Sequence, residues 1–577
     1  MRLVKSPLPA LVVTLSMLAP LCAGNASAGR GLTRAAQVPA RADKVSSDLR
    51  RRVGGAPSLR DTRVSVIIQL GARPTGRLNA LLNRAGVHVK GRFENFGAMA
   101  VELPAGVIDE LAAFDEVSFV SYDDEIRADS GHVEMTTGTA DVRTQTTTAI
   151  SVSALGVTTT TTTNWTLNGD GVGIAVLDSG MDTGHVEFFK GGDPSKPTRI
   201  AYSQDFTGEG RVDDPYGHGS HVASAAAGAS KSYTGIASGA KIINLRVLNS
   251  QGSGTVSALL SALNWLMSNK ATYNIRVANL SLGAPAVNSY KNDPVCQAVR
   301  KLVDAGVVVV AAAGNNGKDS AGNKIYGQIH SPGNEPSAIT VGATNSFGTD
   351  ARSDDTVTTY SSRGPTRSYW TDASGVRHYD NLVKPDLAAP GNKLIFAESD
   401  VVTKDASGSS VSTPNNLVTQ NPQLDAGVSN NDNRRMMYLS GTSMAAPIVA
   451  GAAALLLQAN PKLTPNMVKM ILMYTAQPLP GFNMFEQGTG QLNVKGAVRL
   501  AQLVRQDITS STPAGDPLLT TSTYPTPQDT IASQTVNWAQ GVNLALDRSY
   551  GRGNNLVMHY QRIYGQGNLL GDGILIG

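Results

Sequence analysis

A chain of 577 residues with 41% hydrophobic and 16% charged side chains is too apolar to stay disordered, and it is long enough for about three or four domains. Its formal net charge of +4 is unevenly spread, since residues 1–63 carry eleven Lys/Arg against three Asp/Glu. The remainder is therefore acidic by about four charges, which gives no footing for a nucleic-acid partner. The 59 glycines and the low charge suit a compact, loop-rich α/β protein.

Arg2 and Lys5 precede an apolar run over residues 8–21, and Ala26-Ser27-Ala28 has the small-x-small form of a cleavage site. This predicts an export signal over residues 1–28. The run is too short for a stable membrane anchor. Cys22 raises a lipidated alternative, but Ala19-Pro20-Leu21 lacks the small residue that should precede it. Cleavage after Ala28 would leave Cys296 as the sole cysteine, so stability must come from packing or bound ions. Residues 29–62, rich in Arg, Ala and Ser without an apolar period, read as a solvated linker.

Residues 63–123 read as a small domain. RVSVIIQL over 63–70 is a strand, and Leu78, Leu81 and Leu82 fall at helical spacing. Residues 87–96 and 98–103 are two more strands. Pro104 opens a helix with Val107, Ile108 and Leu111 on one face, and residues 117–122 form the last strand. The order is β-α-β-β-α-β. Residues 124–163 are polar, end in the run Thr158 to Thr163, and read as an exposed connector.

From Gly171 the pattern changes. Residues 172–177 (VGIAVL) are a continuous apolar run ending at Asp178, and residues 241–247, 276–282 and 306–313 repeat it. Helical stretches lie between, near 255–268 and 296–304. Apolar strands alternating with helices predict a mostly parallel sheet covered on both faces. Ligands of such sheets bind beyond the carboxyl ends of the strands, which puts Asp178 and Asn315 on one edge.

Four residues on that frame carry chemistry. Asp178 alone could simply cap the turn after its strand. His218 and His221 lie three apart at a helix start. They could ligate a metal, but no His-Glu-x-x-His pattern or third ligand accompanies them. His218, between two glycines, reads better as an exposed base, with His221 structural. Asn315 follows an apolar run and can donate its amide to a developing oxyanion. Ser443, in Gly441-Thr442-Ser443-Met444, opens an apolar helical run that extends to Leu457. Together they meet the needs of acyl transfer: Ser443 as nucleophile, His218 as base, Asp178 fixing the imidazole, and Asn315 with the Ser443 backbone N–H holding the oxyanion.

These residues resemble the subtilisin-like serine proteases, in which the order Asp, His, Ser is the family's own. Three motifs carry the likeness: Val176-Leu177-Asp178-Ser179-Gly180, His218-Gly219-Ser220-His221-Val222-Ala223 and Gly441-Thr442-Ser443-Met444-Ala445-Ala446-Pro447. Ser361-Ser362-Arg363-Gly364-Pro365 and Lys384-Pro385-Asp386 through Gly391 support it. The likeness covers roughly residues 165–503. It implies an α/β, subtilisin-like fold, preceded by a small α+β (βαββαβ, ferredoxin-like) propeptide domain that assists folding and blocks the site. The expected divisions are a signal over 1–28, a linker over 29–62, the propeptide over 63–124, a connector with the maturation site over 125–163, the catalytic domain over 164–504 and a tail over 505–577. The expected activity is that of an exported, self-processed endopeptidase, secreted and monomeric, whose partners are polypeptide substrate and its own propeptide.

The resemblance further implies that residues 251–255 (QGSGT) form an edge strand for extended substrate, presenting Gly252, Ser253 and Gly254. Ser281, Leu282 and Gly283 form the opposite strand, and Ala313 and Gly314 help wall the main pocket, with His330 and Glu335 as further candidates. Mostly small walls imply an apolar or broad preference. No cofactor is required and no metal ligand is assigned. The short link over 229–233 leaves no room for one calcium loop known in some subtilases, and other structural calcium stays open. Two polar inserts, near 368–381 and 398–435, are expected to rim the cleft.

Overall fold

The computed structural model describes residues 44–46, 49–50, 62–123, 132–152, 158–405, 407–508, 518–521, 525–540, 563–565 and 568–571. The expected signal, most of the linker and much of the tail lie outside them. The chain divides into two compact units, Met1–Ile126 and Arg127–Gly577.

In the first unit, alternating side chains build an antiparallel sheet. Its strands run in the order His88–Phe93, Ala98–Pro104, Arg63–Leu70 and Val117–Tyr122. The helix Gly76–Leu82 is started by Thr75, whose hydroxyl accepts from Leu78 N at 3.3 Å. Leu78, Leu81 and Leu82 then bury one stripe with Val66, Ile68 and Val101 of the sheet. Pro104 ends a strand rather than opening a helix. A single 3-10 turn intervenes before the helix Ile108–Ala112, because Pro104 has φ −61° with an extended ψ.

The second unit is built on a sheet with the order Thr356–Val357, Ile339–Asn345, Val308–Ala312, Ile275–Leu280, Gly173–Asp178, Lys241–Arg246 and Ile200–Asp205. Every pairing along it is parallel except that of Thr356–Val357, and Leu387–Pro390 adds a further parallel strand beside Ile339–Asn345. Burial on both faces explains the unbroken apolar runs. Ile174 and Val176 point into one core, with the helices His218–Ala227 and Thr442–Ala459. Ala175 and Leu177 point into the other, with Val256–Asn269 and Pro294–Asp304. Among the described residues, Thr442–Ala459 alone is long and apolar enough to cross a membrane, but it lies inside the first of these cores.

An ion triad locks the sheet to this helical layer. Asp386 holds Lys384 at 2.7 Å and Lys469 at 2.8 Å, with all three side chains fully buried. Lys469 also donates to the carbonyls of Pro336 and Ala338. Burial pushes the Lys469 ammonium down to about 7, against the pull of Asp386.

Three segments depart from expectation. Residues 132–143 were expected within an exposed connector, but Val133 and Val142 belong to the core, and Arg143 donates to the carbonyls of Leu167, Gly235 and Ile236. The Thr-rich stretch is a hairpin, Thr144–Val152 against Thr158–Thr166, because β-branched side chains favour the pleated backbone. The expected tail begins inside the fold: Leu518, Leu519 and Trp538 are buried in the main core. There the indole of Trp538 donates to Asp529 at 2.5 Å, and Arg499 lies over its ring. The described residues of both inserts carry regular structure. The first is a hairpin, Tyr369–Thr371 with Arg377–Tyr379, and the second combines the hairpin Asp400–Lys404 with Ser410–Pro414 and the helix Asn416–Gln420. Farther along the expected tail, Ile563–Gly565 pairs with Asn568–Gly571.

Candidate active site

The carboxyl end of Gly173–Asp178 delivers Asp178 to a buried position, 1% exposed. Its Oδ1 accepts from Ser179 N at 2.8 Å and from His218 Nδ1 at 2.7 Å. A carboxylate only accepts, so Nδ1 carries the hydrogen and Nε2 is left with its lone pair. Burial opposes a charged His218 imidazole. Asp178, with Asp214 behind it, outweighs that cost and holds the pKa above the ordinary histidine value.

Asp214 was not anticipated. It is fully buried, accepts from Ser179 Oγ at 2.7 Å, and takes the N–H groups of Gly217 and Ser220 at 2.9 and 2.7 Å. It thereby anchors the first turn of His218–Ala227. Ser179 Oγ in turn accepts from Gly219 N at 2.9 Å, so one carboxylate ties the Asp178 turn to the His218 helix. The only hint in the sequence is an acid four residues before His218. His221 is buried and gives Nε2–H to the Leu394 carbonyl at 3.0 Å; burial drives its pKa down to about 3. Among the described residues no group of three His, Cys, Asp or Glu side chains is placed to hold a metal ion.

Ser443 opens the helix Thr442–Ala459, half-buried, in its first turn. Pro447 lies four residues on and has no N–H, so the Ser443 carbonyl loses its helical partner. Ser281 Oγ replaces it, donating to that carbonyl at 2.6 Å. The pairing makes Ser281 a support for Ser443 as well as a wall residue. Ser281→Ala should destabilise the protein by about 1–3 kcal/mol, the cost of an unpaired buried acceptor, as measured by denaturant unfolding.

Asn315 is oriented by the residue beside Ser443. Its Oδ1 accepts from Thr442 N at 2.9 Å and from Thr442 Oγ1 at 3.0 Å. Two donors on one atom fix the amide orientation and leave Nδ2 as a donor toward the turn, 3.3 Å from where a Cβ on Gly441 would lie.

A cleft of about 600 Å³ runs past His218. It is lined by Gly252, Ser253, Gly254, Ser281, Leu282 and Gly283, all expected, and by Tyr216, which was not. Residues 251–255 are not a strand. Residues 249–252 make a turn, Leu248 bridges Gly254 alone, and Thr255 caps the next helix, because an edge strand needs a partner to be regular. Ala313 and Gly314 do not join this lining. Ala313 is fully buried, and the imidazole of His330 stands between Gly314 and Gly283. Asn316 Nδ2 donates to His330 Nε2 at 2.9 Å. Glu335 is turned away and pairs with Arg300 Nε at 2.7 Å.

A paired Asp and His, a helix-borne Ser with a braced carbonyl and an oriented amide beside a peptide-sized cleft are the parts of a serine hydrolase. The subtilase family model matches residues 169–541. The chain belongs to the subtilase family. It is 34% identical over 349 residues to the serine protease AprX of Bacillus subtilis, covering 58% of this chain and 67% of that one. It is 30% identical over 383 residues to an extracellular serine proteinase of a Thermus species, covering 66% and 71%. It is 31% identical over 335 residues to Subtilisin Savinase of Lederbergia lenta, covering 58% and 93%. This subtilase is a serine endopeptidase, and the match ends at residue 541, past the buried Trp538.

Proposed function

We propose that this subtilase cleaves polypeptides through an acyl-enzyme on Ser443. His218 takes the hydroxyl proton at Nε2 and returns it to the leaving amine. Asp178 holds the tautomer and stabilises the cation that forms. Asn315 Nδ2 and the Ser443 N–H receive the oxyanion. The observation that carries this reading is the 2.7 Å contact of Asp178 with His218, a residue that lines the cleft. Extended substrate adds a strand at residues 252–254, opposite residues 281–283. The chemistry so assigned uses no cofactor.

The raised His218 pKa has a consequence. The imidazole is a base only when neutral, so kcat/KM should climb through an apparent pKa above 6.5. Asp214→Asn removes one of the charges that lift it, so this limb should move to lower pH. A pH–rate profile of the two proteins checks this.

The same reading makes residues 63–123 a propeptide. Their β-α-β-β-α-β order and sheet order match a ferredoxin-like inhibitor domain. Because residues 132–143 pack into the catalytic unit, cleavage falls between residues 124 and 131. A signal over residues 1–28 would export the precursor, and the mature enzyme would act as a monomer, blocked by its own propeptide in cis or in trans. Intact mass and N-terminal sequencing of the incubated precursor test this. A new terminus between 124 and 131 should appear as peptide hydrolysis rises. Full hydrolysis by an uncut chain would contradict it.

A further inference from the structure

We infer that the first insert, the hairpin of Tyr369–Thr371 and Arg377–Tyr379, is a docking surface for acidic stretches of the polypeptide substrate that lie beyond the residues seated in the cleft; this rests on the proteolytic reading of that cleft.

The hairpin is joined to the cleft wall. Tyr369 N–H donates to the Val287 carbonyl at 3.1 Å, and Ser289 N–H donates to the Tyr369 carbonyl at 2.8 Å. Asn288, between those two, lines the cleft with Ala284 and Pro285, just past the segment 281–283 proposed to pair with substrate. A peptide paired with that segment therefore has one of its two ends on the side of the hairpin.

Strand register sets four side chains in a row on one face. Tyr369 lies opposite Tyr379, and Thr371 lies opposite Arg377. Opposed residues, and those two further along, share a face. Arg377 accordingly lies over the Tyr369 ring at 4.5 Å, Arg367 lies over the Tyr379 ring at 4.1 Å, and the two rings are 5.5 Å apart. The row reads Arg367, Tyr379, Tyr369, Arg377. Both arginines are exposed, and among the described residues neither guanidinium is paired with a carboxylate. The acids of the hairpin are engaged elsewhere. Asp380 is buried and accepts from Ser289 Oγ and Ser368 Oγ, each at 2.6 Å. Asp372 accepts from His378 Nε2 at 2.8 Å.

Past residue 63 the chain is acidic by about four charges, and this exposed pair of cations stands against that balance. Contact with a ring steadies a guanidinium without using up its N–H donors, so the fork meets a carboxylate with little further loss of side-chain entropy. Arg367 is steadied further. Its stem lies on Gly327, where a Cβ would come within 2.5 Å of the Arg367 Cγ, and its Nη1 donates to Asn381 Oδ1 at 3.0 Å. Two such forks on one face suit a ligand that presents carboxylates in series, as a run of Asp or Glu in an extended chain does.

The test extends a set of peptides at either end with an Asp-rich or a Gly/Ser-rich run and reads kcat and KM for each. At one end the acidic run should lower KM about fivefold relative to the neutral run, with kcat unchanged. The gain should vanish in about 0.5 M salt, where exposed charges are screened. R367Q/R377Q should cleave the unextended peptides as the wild-type enzyme does and show no gain from the acidic run. R377E should make the acidic peptide the poorer substrate, and R377K, which keeps the charge, should retain part of the gain. A wild-type enzyme that gains nothing at either end, or a gain that survives in R367Q/R377Q, overturns the inference while leaving the proteolytic reading standing. Failure of the wild-type enzyme to cleave any unextended peptide overturns both.

Discussion

Ser443→Ala should abolish peptide hydrolysis, reducing turnover by on the order of 10⁶, the loss established for removing the nucleophile of subtilisin. The fold should survive, because Ser443 is half-buried in the first turn of a helix of Ala and Leu, where Ala is the best helix former. Ser281 would still reach the residue 443 carbonyl, since that bond uses backbone rather than the lost hydroxyl. The same variant should accumulate as uncut precursor. Maturation of purified Ser443→Ala would mean that another group cuts the chain.

Asn315→Leu should cost about 10²–10³ in kcat, with KM much less affected; this is again the subtilisin magnitude. The amide donates to charge that exists only in the transition state, so its loss raises the barrier without weakening substrate binding. Leu also removes the acceptor for Thr442 N and Oγ1, so part of the effect could come from a loosened turn. Asn315→Asp separates the two causes. It keeps an acceptor for Thr442 and removes the donor, so a kcat loss of similar size in both variants assigns the effect to the missing N–H.

Much of this was legible in the sequence because buried parallel strands and catalytic turns write themselves locally. Val176-Leu177-Asp178 is an apolar run that stops at a carboxylate, and the structure places Asp178 at the carboxyl end of an inner strand of the sheet. The order of elements in residues 63–123 followed from alternation and leucine spacing alone. What escaped depends on partners far away in the chain. Asp214 looks like one acid among several until Ser179, Gly217 and Ser220 converge on it. Pro447 explains Ser281 only once a missing helical hydrogen bond is traced across 162 positions. Residues 132–143 lack an apolar period, yet Val133 and Val142 fill gaps in a core built by others. Trp538 reads as tail until Asp529 and Arg499 meet it. Glu335 was placed in the pocket loop, and the pull of Arg300 turns it the other way.

The central claim is that Ser443, activated by His218 and Asp178, is the group that attacks the peptide bond. Its most direct test is reaction of the wild-type enzyme with a fluorophosphonate, followed by peptide mapping and residual activity on the same sample. A single adduct on the peptide containing Ser443, formed in step with the loss of hydrolysis, is the expected result. Hydrolysis that persists in fully labelled protein, or an adduct on any other serine, would contradict it.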